Sequence, residues 1–135
     1  METWGRYRID SEIARGAYGI VYRAHDLEAD RVVALKTLRD DRPSGVILER
    51  FLREARRAAG LDHPAIVRIY ETGWWDHRVY FTMEFLEGET LADRILRGPI
   101  PASEVASIAV TLARALDYAH RRGVIHRDIK PSNIM

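Results

Sequence analysis

Polar and apolar positions change their period several times along the chain, and each change marks an element. Residues 7–14 and 20–25 carry β-branched and aromatic side chains on either side of a small-residue turn, which predicts two strands. Residues 31–38 are almost continuously apolar and predict another strand, entered through the turn-like Glu28-Ala29-Asp30. A polar loop with Pro43 and Gly45 follows. The period then lengthens. Leu48, Phe51, Leu52, Ala55, Ala58 and Ala59 share one face of a helix predicted over 46–59, with Glu54 at the edge of that face and Gly60 as its stop. Residues 66–75 and 78–85 return to strand character and predict a hairpin around Asp76-His77. A short helix is predicted over 91–96, with Thr90 and Asp93 spaced as a capping pair. Gly98 to Pro101 breaks the chain. A long helix over 103–122 follows, with Val105, Ile108, Leu112, Leu116 and Ala119 as its buried stripe and Gly123 at its end. The remaining residues, 124–135, read as a short strand and a polar loop.

Strands come first and helices later. That segregation predicts an α+β fold with an antiparallel sheet, and excludes a doubly wound parallel one. A lobe boundary is expected near 86–88. The chain's 135 residues suit one domain. Its balance of 47% apolar and 30% charged residues excludes a disordered or fibrous chain. Twenty-one basic residues face 20 acidic ones, so nothing in the net charge of +1 favours bulk binding to nucleic acid or an anionic membrane. The chain has no cysteine, which removes disulfides, thiolate metal sites and cysteine nucleophiles. No apolar run reaches the roughly 18 to 20 residues of a membrane span, and the N-terminus is too polar for a signal peptide.

Three segments carry candidate chemistry. In Arg15-Gly16-Ala17-Tyr18-Gly19, glycines at 16 and 19 let backbone N–H groups approach a phosphate, although a plain hairpin with two turn glycines has the same spelling. It is not a Walker-type loop, because no Gly-Lys-Ser/Thr follows and the next element is a strand. Lys36 shares a strand face with Ala34 and Leu38, which is costly without an anionic partner or an exit to water. Glu54 is the natural partner, with Arg50 and Arg57 as local competitors. The octet His126-Arg127-Asp128-Ile129-Lys130-Pro131-Ser132-Asn133 is the sharpest signal. It offers an aspartate to accept a proton, a lysine to neutralise a phosphoryl group and an asparagine to bind a metal ion.

In this order the pieces resemble a protein kinase, and more narrowly the eukaryotic-like serine/threonine kinases of bacteria. The resemblance covers residues 7–135. It matches the glycine-rich loop at 14–21, the Val-Ala-Leu-Lys strand ending at Lys36, the helix glutamate at Glu54 and the catalytic loop at 126–133. Composition agrees with it. Lys36 and Lys130 are the only lysines and Asn133 the only asparagine, and all three fall on family positions. A compact ammonium or a neutral amide oxygen is needed there, and arginine offers neither.

The resemblance implies a five-stranded N-lobe sheet with one long helix over 7–86, followed over 87–135 by the hinge exit, the first helices of the C-lobe and the catalytic loop. It implies ATP and Mg2+, and a protein substrate offering Ser or Thr. Lys36 would hold the α- and β-phosphates and pair with Glu54. Asp128 would orient the substrate hydroxyl and accept its proton, Lys130 would steady the γ-phosphoryl group, and Asn133 would bind the metal. Ile13, Val21 and Ala34 would roof the adenine together with Gly16 and Gly19 of the loop. Met135 would lie beneath it, Glu84 and Leu86 would present hinge backbone groups, and Met83 would be the gatekeeper. His126 would be a packed structural residue, and Arg127 the receiver of a phosphorylated activation loop.

Two departures qualify this. Ala14 stands where the family has the first glycine of the loop. The 135 residues also contain no Asp-Phe-Gly, activation loop or Ala-Pro-Glu, so phosphotransfer is expected of the intact parent, with these residues alone inactive and incompletely packed. A nucleotide-binding scaffold without turnover, and a small-molecule phosphotransferase of the aminoglycoside or choline type, are the alternatives. Arg127, the Lys130-Pro131 pair and the Val-Ala-Leu-Lys strand favour protein kinase over the latter. A cytoplasmic kinase domain is expected, with any membrane anchor or dimerisation of the parent left open.

Overall fold

The structure is a computed structural model that describes residues 2–135. The chain forms two compact units, one of residues 2–62 and 67–85, the other of His63–Ile66 and Leu86–Met135.

The first unit is a sheet with one helix. Its elements are β1 (Thr3–Trp4), β2 (Tyr7–Arg15), β3 (Gly19–Asp26), β4 (Arg31–Leu38), α1 (Gly45–Ala59), β5 (Ile69–Trp75) and β6 (Arg78–Glu84). The strands pair antiparallel in the order β1-β2-β3-β4-β6-β5. The sheet therefore has six strands, not the expected five. The extra strand, β1, is two residues long, too short to show a period. Burial holds it in place: Trp4 is 1% exposed and packs its ring against Tyr22 and Tyr80.

β1 and β5 lie at opposite ends of the hydrogen-bonding order, yet their surroundings meet. Arg6, between β1 and β2, approaches Glu71 of β5 at 3.4 Å, and the Tyr7 hydroxyl donates to Glu71 Oε1 at 2.6 Å. The sheet's twist curls it round a cluster of Trp4, Tyr7, Ala24, Val33, Leu35 and Tyr80. Burial, and then the bond to Glu71, push the Tyr7 phenol up to about 12, so it stays protonated and donating at neutral pH. The opposite face packs under α1 through Leu38, Phe51, Ala55, Val79 and Phe81. Of the expected apolar stripe of α1, Phe51 and Ala55 are buried and Leu48 and Leu52 pack against this cluster, whereas Ala59 at the helix end is exposed. Ser44 caps the helix start by accepting the Ile47 N–H.

The predicted turn at Asp76-His77 has both residues at positive φ, 44° and 64°, as a two-residue hairpin turn of this twist requires. Two pairs further along this hairpin, Gly73 lies opposite Tyr80. A Cβ at Gly73 would come within 2.5 Å of the Tyr80 hydroxyl oxygen, and Tyr80 is itself nearly buried. Gly73→Ala is therefore expected to destabilise the unit by about 1–3 kcal/mol, the cost of overpacking. Urea unfolding beside an Ala substitution at exposed Thr72 checks this, and equal midpoints would contradict it.

The second unit holds α2 (Leu91–Leu96) and α3 (Ala102–Arg121). The expected capping pair at Thr90 and Asp93 is a complete capping box, and Gly123 follows α3 at φ +76°. Val105 is half exposed, lining an open apolar groove with Leu91, Ile95 and Ile108, while Ala115 is buried in addition to Ala119. The strand expected after Gly123 does not form. The Val124 N–H instead donates to the Ala119 carbonyl, and a single 3-10 turn forms at Pro131–Asn133. Among the described residues, this segment has no neighbouring strand to complete a ladder. The same residues include no helix long and apolar enough to cross a membrane.

Candidate functional site

In the first unit, register brings the expected nucleotide residues to one face of the sheet. Val21 lies opposite Lys36, and Ala34 lies opposite Met83. Directly opposed residues share a face, and so do alternate residues of one strand, so Val21, Ala34, Lys36 and Met83 lie together. Glu84 ends β6 opposite Val33. The Lys36 ammonium lies 2.9 Å from Glu54 Oε1 and 5.7 Å from the Phe81 ring centre. The lysine's partner is thus Glu54, and neither Arg50 nor Arg57 takes the carboxylate. α1 delivers it because Phe51 and Ala55 lock the helix face that adjoins Glu54. The pair is partly open to solvent, Lys36 at 29% and Glu54 at 55%, which leaves the ammonium free to meet a second anion.

The glycine-rich turn closes on itself, with the Gly16 N–H donating to the Gly19 carbonyl at 2.8 Å. Packing favours glycine at 19, since a Cβ there would lie 3.2 Å from the Thr37 carbonyl oxygen, tighter than an ordinary contact. At Gly16 the nearest such atom is 3.9 Å away, so its small size leaves space beside the turn. Among the described residues, the Ala17 and Tyr18 amides at the tip donate to no backbone acceptor. Free amides around an open turn suit a phosphate. Ile13 is half exposed beside them.

In the second unit the residues of the expected catalytic loop organise one another. Asn133 Nδ2 donates to the Asp128 carbonyl at 2.9 Å and to Asp128 Oδ2 at 3.3 Å. Lys130 Nζ lies 3.4 Å from the same carboxylate oxygen, and the Asp128 N–H donates to His126 Nδ1 at 3.1 Å. Arg127 takes a positive φ of 68°, which turns the chain so that His126 can reach Asp128. His126 is exposed, not packed as expected. The loop is tied to α2 by the Leu91 N–H donating to the Ile134 carbonyl at 2.7 Å. Leu86 and Met135 are both exposed in this unit. Because the Asn133 amide nitrogen is committed to Asp128, its carbonyl oxygen remains as a hard donor of the kind magnesium takes. Among the described residues, no group of three or more His, Asp or Glu is placed to hold a metal ion.

Sequence reasoning missed the Asp128–His126 bond and an ion pair between Glu12 and Arg15 beside the glycine turn. The first depends on the backbone turn at Arg127. The second depends on a strand irregularity that no residue pattern announces.

A glycine-rich strand turn, a lysine paired to a helix glutamate and an Asp-Lys-Asn loop, in that order along the chain, are the features of a protein kinase domain. The chain belongs to the protein kinase domain family, whose model matches residues 7–135. It is 43% identical over 133 residues to the serine/threonine-protein kinase PrkC of Bacillus subtilis. It is 41% identical over 137 residues to the probable serine/threonine-protein kinase SCO3848 of Streptomyces coelicolor. Each match covers 97% of this chain and 20% of the relative. Among solved structures, the kinase domain of Mycobacterium tuberculosis PknI superposes with a TM-score of 0.82 at 31% identity, over 98% of this chain and 55% of that one. The chain thus spans a fifth of those curated relatives and about half of a solved kinase domain.

Proposed function

We propose that the intact parent of this chain transfers the γ-phosphoryl group of ATP to serine or threonine hydroxyls of proteins. The observation that carries this reading is the self-organised loop in which Lys130 and Asn133 both engage the Asp128 carboxylate. Phosphoryl transfer asks for positioning and charge compensation more than for covalent chemistry, and these residues offer both.

The roles follow from what each side chain can do. Lys36, steadied by Glu54, presents a positive charge to the nucleotide's phosphates. Val21 and Ala34 give an apolar surface to its base, with Ile13 beside them, and Glu84 and Leu86 offer backbone groups to the base's edge. Gly16 and Gly19 let the turn's amides come close to phosphate oxygens. Met135 gives a further apolar contact to the base. Asp128 orients the substrate hydroxyl and takes its proton on the carboxylate, and Lys130 offsets charge on the transferred group. Magnesium, when held through Asn133, would neutralise phosphate charge. The parent's kinase domain would lie in the cytoplasm, and its oligomeric state is a separate question.

The test is phosphate transfer by the intact parent from labelled ATP, offered protein, aminoglycoside and choline acceptors in parallel. Label on protein Ser or Thr is expected, with Lys36→Met lowering the rate about 10²- to 10³-fold, the loss typical of one group aimed at developing charge. Transfer to small molecules alone would assign the phosphotransferase alternative. ATP binding without transfer would assign the scaffold.

A further inference from the structure

The glycine-rich turn is held by contacts that phosphate binding alone does not explain. Glu12 and Ala14 of β2 pair with the consecutive residues Tyr22 and Val21, so Ile13 is an extra residue in the strand. In an unbroken strand, residues three apart point to opposite faces. The bulge reverses that parity and brings Glu12 and Arg15 to the same side. There they form a two-pronged ion pair, Arg15 Nε to Glu12 Oε1 at 2.8 Å and Nη2 to Oε2 at 2.6 Å. Arg15 immediately precedes Gly16. The other end of the turn is held by the backbone N–H of Arg39, which donates to the Tyr18 carbonyl at 2.9 Å, while the Arg39 side chain reaches back to the Gly16 carbonyl at 3.5 Å.

The electrostatics agree. The hydrogen bond from Arg15 is the largest influence holding the Glu12 carboxyl below its usual range, and the charge of Arg39 acts in the same direction. Arg15 pairs with Glu12 directly, whereas Arg39 acts on Glu12 only through its charge. Ala14, in the place where the family has a glycine, removes a freely rotating residue from the same end of the turn.

We propose that Glu12, Arg15 and Arg39 are positioning residues that set the shape of the phosphate-binding turn before a nucleoside triphosphate arrives. The Glu12–Arg15 pair and the Arg39 side chain brace the entry to the turn, and the Arg39 backbone holds its exit. The physical reason is entropic. A glycine-rich turn has the most backbone freedom to lose on binding, and ordering it beforehand lowers that cost. The inference rests on the nucleotide reading of the turn. It goes beyond that reading by giving work to side chains that need not touch phosphate.

Two measurements test it. Hydrogen exchange of the Gly16 and Arg39 amides, which donate to the Gly19 and Tyr18 carbonyls across the turn, reads the brace directly in the nucleotide-free intact parent. Exchange is expected to quicken roughly two- to fivefold in Glu12→Ala, Arg15→Ala and Arg39→Ala, the scale of an exposed ion pair. The double variant E12R/R15E, which reverses the pair, is expected to restore it, and a merely misfolded variant would not be rescued. Affinity of the intact parent for a fluorescent ATP analogue is expected to follow the same pattern. Unchanged exchange in the single variants overturns the proposal. So does restored exchange without restored affinity, because Arg15 would then be a direct phosphate ligand. A parent that binds no nucleotide, while its turn still responds to the pair, overturns the nucleotide reading and leaves the brace intact.

Discussion

Exchanging Asp128 for asparagine in the intact kinase is expected to lower phosphoryl transfer about 10²- to 10⁴-fold, the usual contribution of a positioned general base. Nucleotide affinity should change little. The substitution keeps the size of the side chain and the backbone carbonyl that accepts the Asn133 amide at 2.9 Å. It removes the negative charge that attracts Lys130 and the basic oxygen that would take the hydroxyl proton. The loss should therefore appear in kcat, with KM for ATP within a few-fold of the parent value. Steady-state kinetics with varied ATP separate the two terms. A rise in KM with kcat unchanged would move Asp128 out of the proton-handling role and make it a binding residue.

The largest stability effect is expected at Trp4. Trp4→Ala should destabilise the first unit by about 3–5 kcal/mol, the range for emptying a buried aromatic site. The side chain is 1% exposed, meets the rings of Tyr22 and Tyr80, and donates its indole N–H to Glu2 at 2.7 Å. Arg78 also lies over its ring at 5.9 Å. Its loss opens the place where the curled sheet closes on itself. Trp74, 58% exposed, is the internal control, and its replacement by alanine should cost no more than about 0.5 kcal/mol. Denaturant unfolding of the two variants side by side checks the difference. Equal midpoints would mean that β1 contributes nothing to the unit.

Much of the candidate site was legible because its residues break local habits. A lysine on an apolar strand face demands an anion, and an Asp-Lys-Asn spacing inside a polar loop has few other uses. Glu54 was harder. Its sequence neighbours Arg50 and Arg57 are equally good partners on paper, and only the docking of α1 through Phe51 and Ala55 turns its carboxylate to Lys36. Glu12 and Arg15 were not legible at all, because their meeting depends on one extra residue in β2.

The sequence by itself determined the order of most strands and helices, the caps at Thr90 and Gly123, the hairpin turn at Asp76-His77 and which residues are candidates for handling phosphate. These depend on period, local backbone preference and side-chain chemistry, all of which act within a few residues of chain. Tertiary structure alone decided the sixth strand, the meeting of Tyr7 with Glu71, the choice of Glu54 for Lys36 and the loop that replaces the expected final strand. Each of these depends on which distant groups become neighbours. A two-residue strand or an ion pair across 18 positions is stable only after the rest of the sheet has curled and the helix has docked on it.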